Sequence, residues 1–119
     1  MTSRVLLIDD NDANRLTLAA LLESEGFEVT EGTCLAEARK SLAGAHVFDL
    51  VLLDRHLSDG LGPELIPDVR AQLPSCKVIV VSGSGLRDEN AATECADGYF
   101  GKGDDLEDLF EKIQTLLTT

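Results

Sequence analysis

Three short runs in this chain are apolar at every position: Val5-Leu6-Leu7-Ile8, Leu50-Val51-Leu52-Leu53 and Val78-Ile79-Val80-Val81. A strand with one face in water alternates apolar and polar residues, whereas a strand covered on both faces does not. These runs therefore predict the buried strands of a parallel sheet lying between two layers of helices. Segments at helical spacing separate them, so the chain reads strand, helix, strand, helix throughout.

The first strand spans Arg4 to Asp9, and Asn11 or Asp12 can cap the helix after it. Leu18, Leu21 and Leu22 mark the inward face of that helix, and Gly26 stops it. Phe27 to Thr30 alternates and belongs nearer an edge. Thr33 can cap a second helix, with Leu35, Ala38 and Leu42 facing inward and Gly44 closing it. Phe48 to Asp54 is the third strand, and His56 to Gly62 reads as a loop. Pro63 suits the first turn of a third helix, and Pro67 should bend that helix or confine its regular part to later residues. Lys77 to Ser82 is the fourth strand. A weak fourth helix follows near Glu89 to Cys95, then a short fifth strand at Gly98 to Gly101. Asp104, Asp105 and Glu107 resemble the capped start of a last helix, whose apolar face runs from Leu106 to Leu117. Five βα units with right-handed crossovers give an α/β fold: a doubly wound, five-stranded parallel sheet in a three-layer α/β/α sandwich. Short second and fifth strands belong at the edges, which fits the flavodoxin-like order 2-1-3-4-5.

The 119 residues favour a single domain covering the whole of 1–119. Acidic residues outnumber basic ones 22 to 10, which argues against this domain gripping nucleic acid or an anionic membrane by itself. Cys34, Cys76 and Cys95 make an odd count without a C-x-x-C pair, so neither a disulfide framework nor a zinc site is expected. No apolar stretch approaches a membrane span, and Met1 to Arg4 lacks the form of a signal peptide. A cytoplasmic location is the expectation.

The strands end on a telling set of side chains. The first runs into Asp9-Asp10, the third into Asp54, the fourth into Ser82 and the fifth into Lys102. In a parallel sheet these ends share one edge, where open α/β folds bind their ligands. Three crowded carboxylates repel one another, and a hard divalent cation with oxygen ligands relieves that repulsion. Mg2+ suits a site with few carboxylates that leaves room for water and phosphate oxygens. An ionised aspartate is also a nucleophile toward phosphorus and needs no general base. Lys102 and the Ser82 hydroxyl can neutralise or bond the transferring oxygens. The set predicts a metal-assisted phosphoryl site.

At these residues the chain resembles the receiver domain of bacterial response regulators. The resemblance covers Arg4 to Leu117 and is carried by Val5-Leu-Leu-Ile-Asp-Asp10, Phe48-Asp-Leu-Val-Leu-Leu-Asp54 with Leu57-Ser-Asp-Gly-Leu-Gly62, Val78-Ile-Val-Val-Ser82 and Tyr99-Phe-Gly-Lys102. It implies a CheY-like fold and a role in two-component, or phosphorelay, signalling. Asp54 would be the phosphoryl acceptor. Asp9, Asp10 and Asp54 would hold Mg2+ together with the backbone carbonyl of His56. Ser82 would be the switch hydroxyl, Tyr99 the switch aromatic and Lys102 the phosphoryl-binding lysine. The donor would be a histidine kinase or a histidine phosphotransfer protein. A downstream protein partner or output domain would meet the face formed by the fourth helix, fifth strand and fifth helix. The resemblance implies no enzyme acting on a separate substrate, only Mg2+-dependent self-phosphorylation and self-dephosphorylation at Asp54.

The chain departs from the family in several places. Gly103 follows Lys102 where proline is usual, and Ser58 stands where proline is common. The stretch from Ser82 to Lys102 is short, and Gly83-Ser84 follows the switch serine. These departures motivate an alternative: a pseudo-receiver that binds a protein partner independently of phosphorylation. A phosphate-ester hydrolase of similar fold generally needs a second acid two residues after its nucleophile, and His56 occupies that place.

Overall fold

A computed structural model describes residues 3–44, 47–82, 96–101, 103 and 105–118. The apolar runs form the centre of one parallel sheet. Its strands are β1 (Arg4–Ile8), β2 (Glu28–Gly32), β3 (Leu50–Asp54), β4 (Lys77–Ser82) and β5 (Gly98–Gly101). Their order is β2-β1-β3-β4-β5, which places the two expected edge strands at the edges. Ile8 pairs with Gly32 and Leu53, Asp54 with Val81, and Ser82 with Gly101.

Alternate strand residues feed two separate cores, which explains why the central runs are apolar throughout. Leu6, Ile8, Val51, Leu53, Val78 and Val80 pack against α2 (Leu35–Ala43) and α3 (Ile66–Gln72). Val5, Leu7, Leu50, Leu52, Ile79 and Val81 pack on the other face, against α1 (Asp12–Ser24) and the C-terminal helix (Leu106–Thr118). Each fully buried aliphatic side chain contributes about 1.5–3 kcal/mol, so the sheet is held by many such terms acting on both faces. Among the described residues no helix is long and apolar enough to cross a membrane.

Local signals set the ends of the helices. The Asn11 side chain accepts from the Asn14 N–H at 3.0 Å and caps α1. Gly26 follows that helix at φ 91°, a conformation that needs no Cβ. Asp105 accepts from the Glu107 N–H at 3.1 Å at the start of the C-terminal helix. Pro67 lies in the first turn of α3, and Pro63 opens the 3-10 turn Gly62–Leu65 before it, so the regular helix begins late as expected.

Two expectations are corrected. Thr33 does not cap α2; its hydroxyl donates to Glu37 at 2.7 Å. The cap comes from Asp59, whose carboxylate accepts from the Leu35 N–H at 2.8 Å and the Ala36 N–H at 3.1 Å. The segment His56 to Gly62 is not simply a loop. His56–Leu57 and Gly60–Leu61 pair as a small antiparallel hairpin, and Gly62 begins the 3-10 turn. The expected fourth helix lies outside the described residues.

Candidate functional site

The carboxyl ends of β1 and β3 are neighbours, and they bring three acids together. One carboxylate oxygen from each of Asp9, Asp10 and Asp54 lies within 4.8 Å of the other two. Asp9 and Asp54 are buried, with 6% and 4% of their surface exposed, while Asp10 is open to solvent. Two buried carboxylates and one exposed carboxylate form an oxygen-only donor set with an open side. That suits a divalent hard cation that keeps water and phosphate oxygens as its other ligands.

The backbone around the cluster is closely held. The Asp9 N–H donates to the Gly32 carbonyl at 3.1 Å, and one Asp9 carboxylate oxygen accepts from the Asn11 N–H at 2.9 Å. The Arg15 guanidinium donates to the Asp9 carbonyl at 3.0 Å. That side chain is 11% exposed and pairs with Asp12 at 2.9 Å and Glu31 at 3.1 Å. The Asp12 carboxylate, with help from Glu31, holds the Arg15 pKa above its ordinary value, so the cation persists at any relevant pH.

After Asp54 the chain is tied down twice. The Arg55 N–H donates to the Val81 carbonyl at 2.9 Å, and the Arg55 carbonyl accepts from the Gly62 N–H at 2.7 Å. His56 is exposed in the hairpin and pairs with Leu61. Ser82 is half-buried at the end of β4, one residue past the partner of Asp54, and so shares the edge with the acids. Tyr99 is half-buried in β5 and packs toward the α2–α3 core. The Arg55 guanidinium carbon lies 6.0 Å from the centre of its ring, at the outer reach of a cation–π contact. Lys102 lies outside the described residues; it follows Gly101, the last residue of β5.

Sequence reasoning singled out the three acids and Ser82 but missed the residues that brace them. Arg15 carries one local signal, its spacing of three from Asp12 on a helix. Nothing local points to Glu31 or to the Asp9 carbonyl, because that contact depends on how β2 lies beside β1.

A groove of about 320 Å³ opens beside Asp9. Asn14, Thr17, Leu18 and Leu21 of α1 form one wall, and Val81, Phe100 and Leu106 form the other.

Residues 5–114 match the family model of the response regulator receiver domain, and the chain belongs to that family, whose members act in two-component systems. It is 32% identical over 116 residues to the cell cycle transcriptional regulator CtrA of Caulobacter vibrioides, a match covering 96% of this chain and 50% of CtrA. The chain thus spans about half the length of that relative. Among solved structures it resembles a CheY-like receiver domain protein from Methanospirillum hungatei, with a TM-score of 0.89 and 30% identity over 99% of this chain and 95% of that one. It also resembles the response regulator TrrA of Thermotoga maritima in complex with Mg(2+)-BeF, with a TM-score of 0.83 and 29% identity over 97% of this chain and 99% of that one.

Proposed function

We propose that this chain is a phosphorylation-driven switch that accepts a phosphoryl group on Asp54 in a Mg2+-dependent reaction. The observation that carries this reading is the convergence of Asp9, Asp10 and Asp54 to within 4.8 Å at the carboxyl edge of the sheet. Asp9, Asp10 and Asp54, with the His56 backbone carbonyl, would hold the ion. When bound, Mg2+ supplies positive charge against the oxygens of the transferring group.

The chain's own residues do the rest. An Asp54 carboxylate oxygen attacks phosphorus of a phosphohistidine donor. An O–P bond forms, the N–P bond breaks, and its electron pair returns to the imidazole nitrogen of the donor. Asp54 needs no base because a carboxylate is the reactive form. Lys102 pairs with one phosphoryl oxygen, and the Ser82 hydroxyl donates to another. Moving Ser82 toward the phosphoryl group biases the chain that follows it and, through Tyr99, the outer face of β5. A switch works only to the extent that the phosphoryl group interacts differently with the two states.

The donor would be a histidine kinase or a phosphotransfer protein. The groove beside Asp9 supports this, since an apolar trough between two helices accepts a partner helix. A downstream partner would meet the surface of β5 and the C-terminal helix, where Tyr99, Asp108, Glu111 and Lys112 border a cavity of about 570 Å³. Such donors place the reaction in the cytoplasm. No separate substrate is turned over; phosphorylation and dephosphorylation both occur on Asp54.

The test is mass spectrometry after incubation with acetyl phosphate and Mg2+. The wild-type chain should gain one phosphoryl group, and Asp54→Asn should gain none. No gain by the wild-type chain, with partner binding indifferent to Asp54→Asn, overturns the reading and leaves a phosphorylation-independent binding module.

A further inference from the structure

We propose that Arg15 is a positioning residue for the acidic pair: it fixes the plane of the Asp9–Asp10 peptide and so aims both carboxylates at the cation site. This rests on the reading that Asp9, Asp10 and Asp54 hold a divalent ion.

The geometry is specific to that peptide. The oxygen that Arg15 contacts, at 3.0 Å, belongs to the amide joining Asp9 to Asp10. Rotating that amide about the Asp9 Cα–C bond swings the Asp10 carboxylate away from Asp54 and carries off the Asn11 N–H that holds the Asp9 carboxylate. Asp10 is exposed, so packing alone does not fix it. The peptides on either side of it are held as well: the Asp9 N–H donates to the Gly32 carbonyl, and the Asn11 N–H bonds back to the Asp9 carboxylate. Arg15 adds a restraint on the carbonyl itself.

Arg15 is in turn built to hold still. Its Nε donates to Glu31 on β2 at 3.1 Å, one Nη donates to the Asp9 carbonyl, and the other Nη meets Asp12 at 2.9 Å. A planar guanidinium serves three directions at once, which an ammonium on a flexible stem does not. Two carboxylates already neutralise its charge, so its main effect on the ion is through the backbone rather than by repulsion. Charge and geometry predict opposite results on removal. Losing a nearby cation tightens binding of a divalent ion, whereas losing the brace weakens it.

The experiment titrates MgCl2 into the wild-type chain, Arg15→Met and Arg15→Lys, read by isothermal calorimetry. Groups that orient metal ligands are worth tenfold or more in affinity, so Arg15→Met should weaken Mg2+ binding by about tenfold. Arg15→Lys keeps the charge but loses the fork, and should weaken it by about threefold. A second readout is the amide resonance of Asp10 in the ion-free protein, whose nitrogen belongs to the braced peptide. It should shift or broaden in both variants. Arg15→Met that binds Mg2+ as tightly as the wild type, or more tightly, overturns the proposal. Loss of stability with unchanged affinity does so too, because it shows a structural role only. If Arg15→Met does not fold, Arg15→Lys decides, and wild-type affinity in that variant overturns the proposal. A wild-type chain that takes up no Mg2+ overturns the reading of the site itself, and this proposal with it.

Discussion

A Cβ placed on Gly62 would lie 1.9 Å from the main-chain oxygen of Asp54 and 3.0 Å from its carbonyl carbon. The chain returning from the hairpin therefore crosses directly over the end of β3, at a distance only glycine permits. The Gly62 N–H uses that proximity to bond the Arg55 carbonyl at 2.7 Å. The atom in the way is backbone, so no side-chain rotation relieves the contact. Gly62→Ala should destabilise the fold by about 3 kcal/mol, at the upper end for overpacking. Urea unfolding should show a lower midpoint with unchanged slope. Because the displaced oxygen belongs to Asp54, the proposed acceptor, phosphoryl uptake from acetyl phosphate should slow as well. Wild-type values for both would contradict the close crossing.

Asp59 connects the same hairpin to α2 through the N–H groups of Leu35 and Ala36. The Leu35 N–H above all, with the Ala36 N–H, holds the Asp59 pKa below the usual aspartate value. A carboxylate depressed in the folded state contributes stability above its unfolded pKa, and that contribution is lost as pH falls through the folded value. Asp59→Ala should therefore have a lower urea midpoint than the wild type at pH 7. The gap should close as pH falls below about 4, the ordinary aspartate value. Glu37, depressed chiefly by its bond from the Thr33 hydroxyl, follows the same trend in both proteins and cancels in the comparison. A gap that stays constant down to pH 2 would show that the loss comes from packing and not from the cap.

Cys76 is buried beside α3, and desolvation, with the nearby Asp49 charge, pushes its thiol up to about 12. The reactive thiolate is then absent at neutral pH. Iodoacetamide at pH 8 followed by peptide mapping should leave Cys76 unmodified in the native protein and modify it in urea. The raised value also makes stability fall with pH between about 9, where the unfolded thiol ionises, and about 12. Native labelling of Cys76 on the time scale of the unfolded chain would overturn its assignment to the core.

How much of this was legible follows from the range of each signal. Strand identity and order were readable because Val5–Ile8, Leu50–Leu53 and Val78–Val81 must satisfy both faces of a sheet, and that demand is written at every residue. The three acids were readable because each ends such a run. The hairpin was not, since two residues per strand carry no periodicity. The α2 cap was not either: Thr33 is the local candidate, whereas Asp59 lies 24 residues from the N–H it caps. Arg15 shows its pairing with Asp12 in the sequence, but its bond to Glu31 exists only once β2 lies parallel to β1 with Ile8 opposite Gly32.

Aspartates occur at both edges of the sheet, and their place relative to strand direction separates their roles. Asp49 and Asp97 precede their strands, on the edge away from the site. The Asp49 carboxylate accepts from the Arg4 N–H at 2.8 Å. Asp97 accepts from the Val78 N–H at 2.8 Å and from Arg70 at 2.9 Å, joining β4, β5 and α3. What sets Asp9, Asp10 and Asp54 apart is that one carboxylate oxygen of each also lies within 4.8 Å of the other two. The two kinds should respond oppositely to neutralisation. Asp97→Ala removes hydrogen bonds to a charged group and should lose about 1.5–3 kcal/mol, with Mg2+ affinity unchanged. Asp10→Asn removes a repelling charge and should raise the unfolding temperature in EDTA. In the wild type, Mg2+ at a hundred times its dissociation constant should add about 2.7 kcal/mol, and Asp10→Asn should lose that gain. Thermal unfolding of the three proteins with and without MgCl2 reads all of these effects. A fall in stability for Asp10→Asn in EDTA would mean that the cluster is held by donors and is not a cation site.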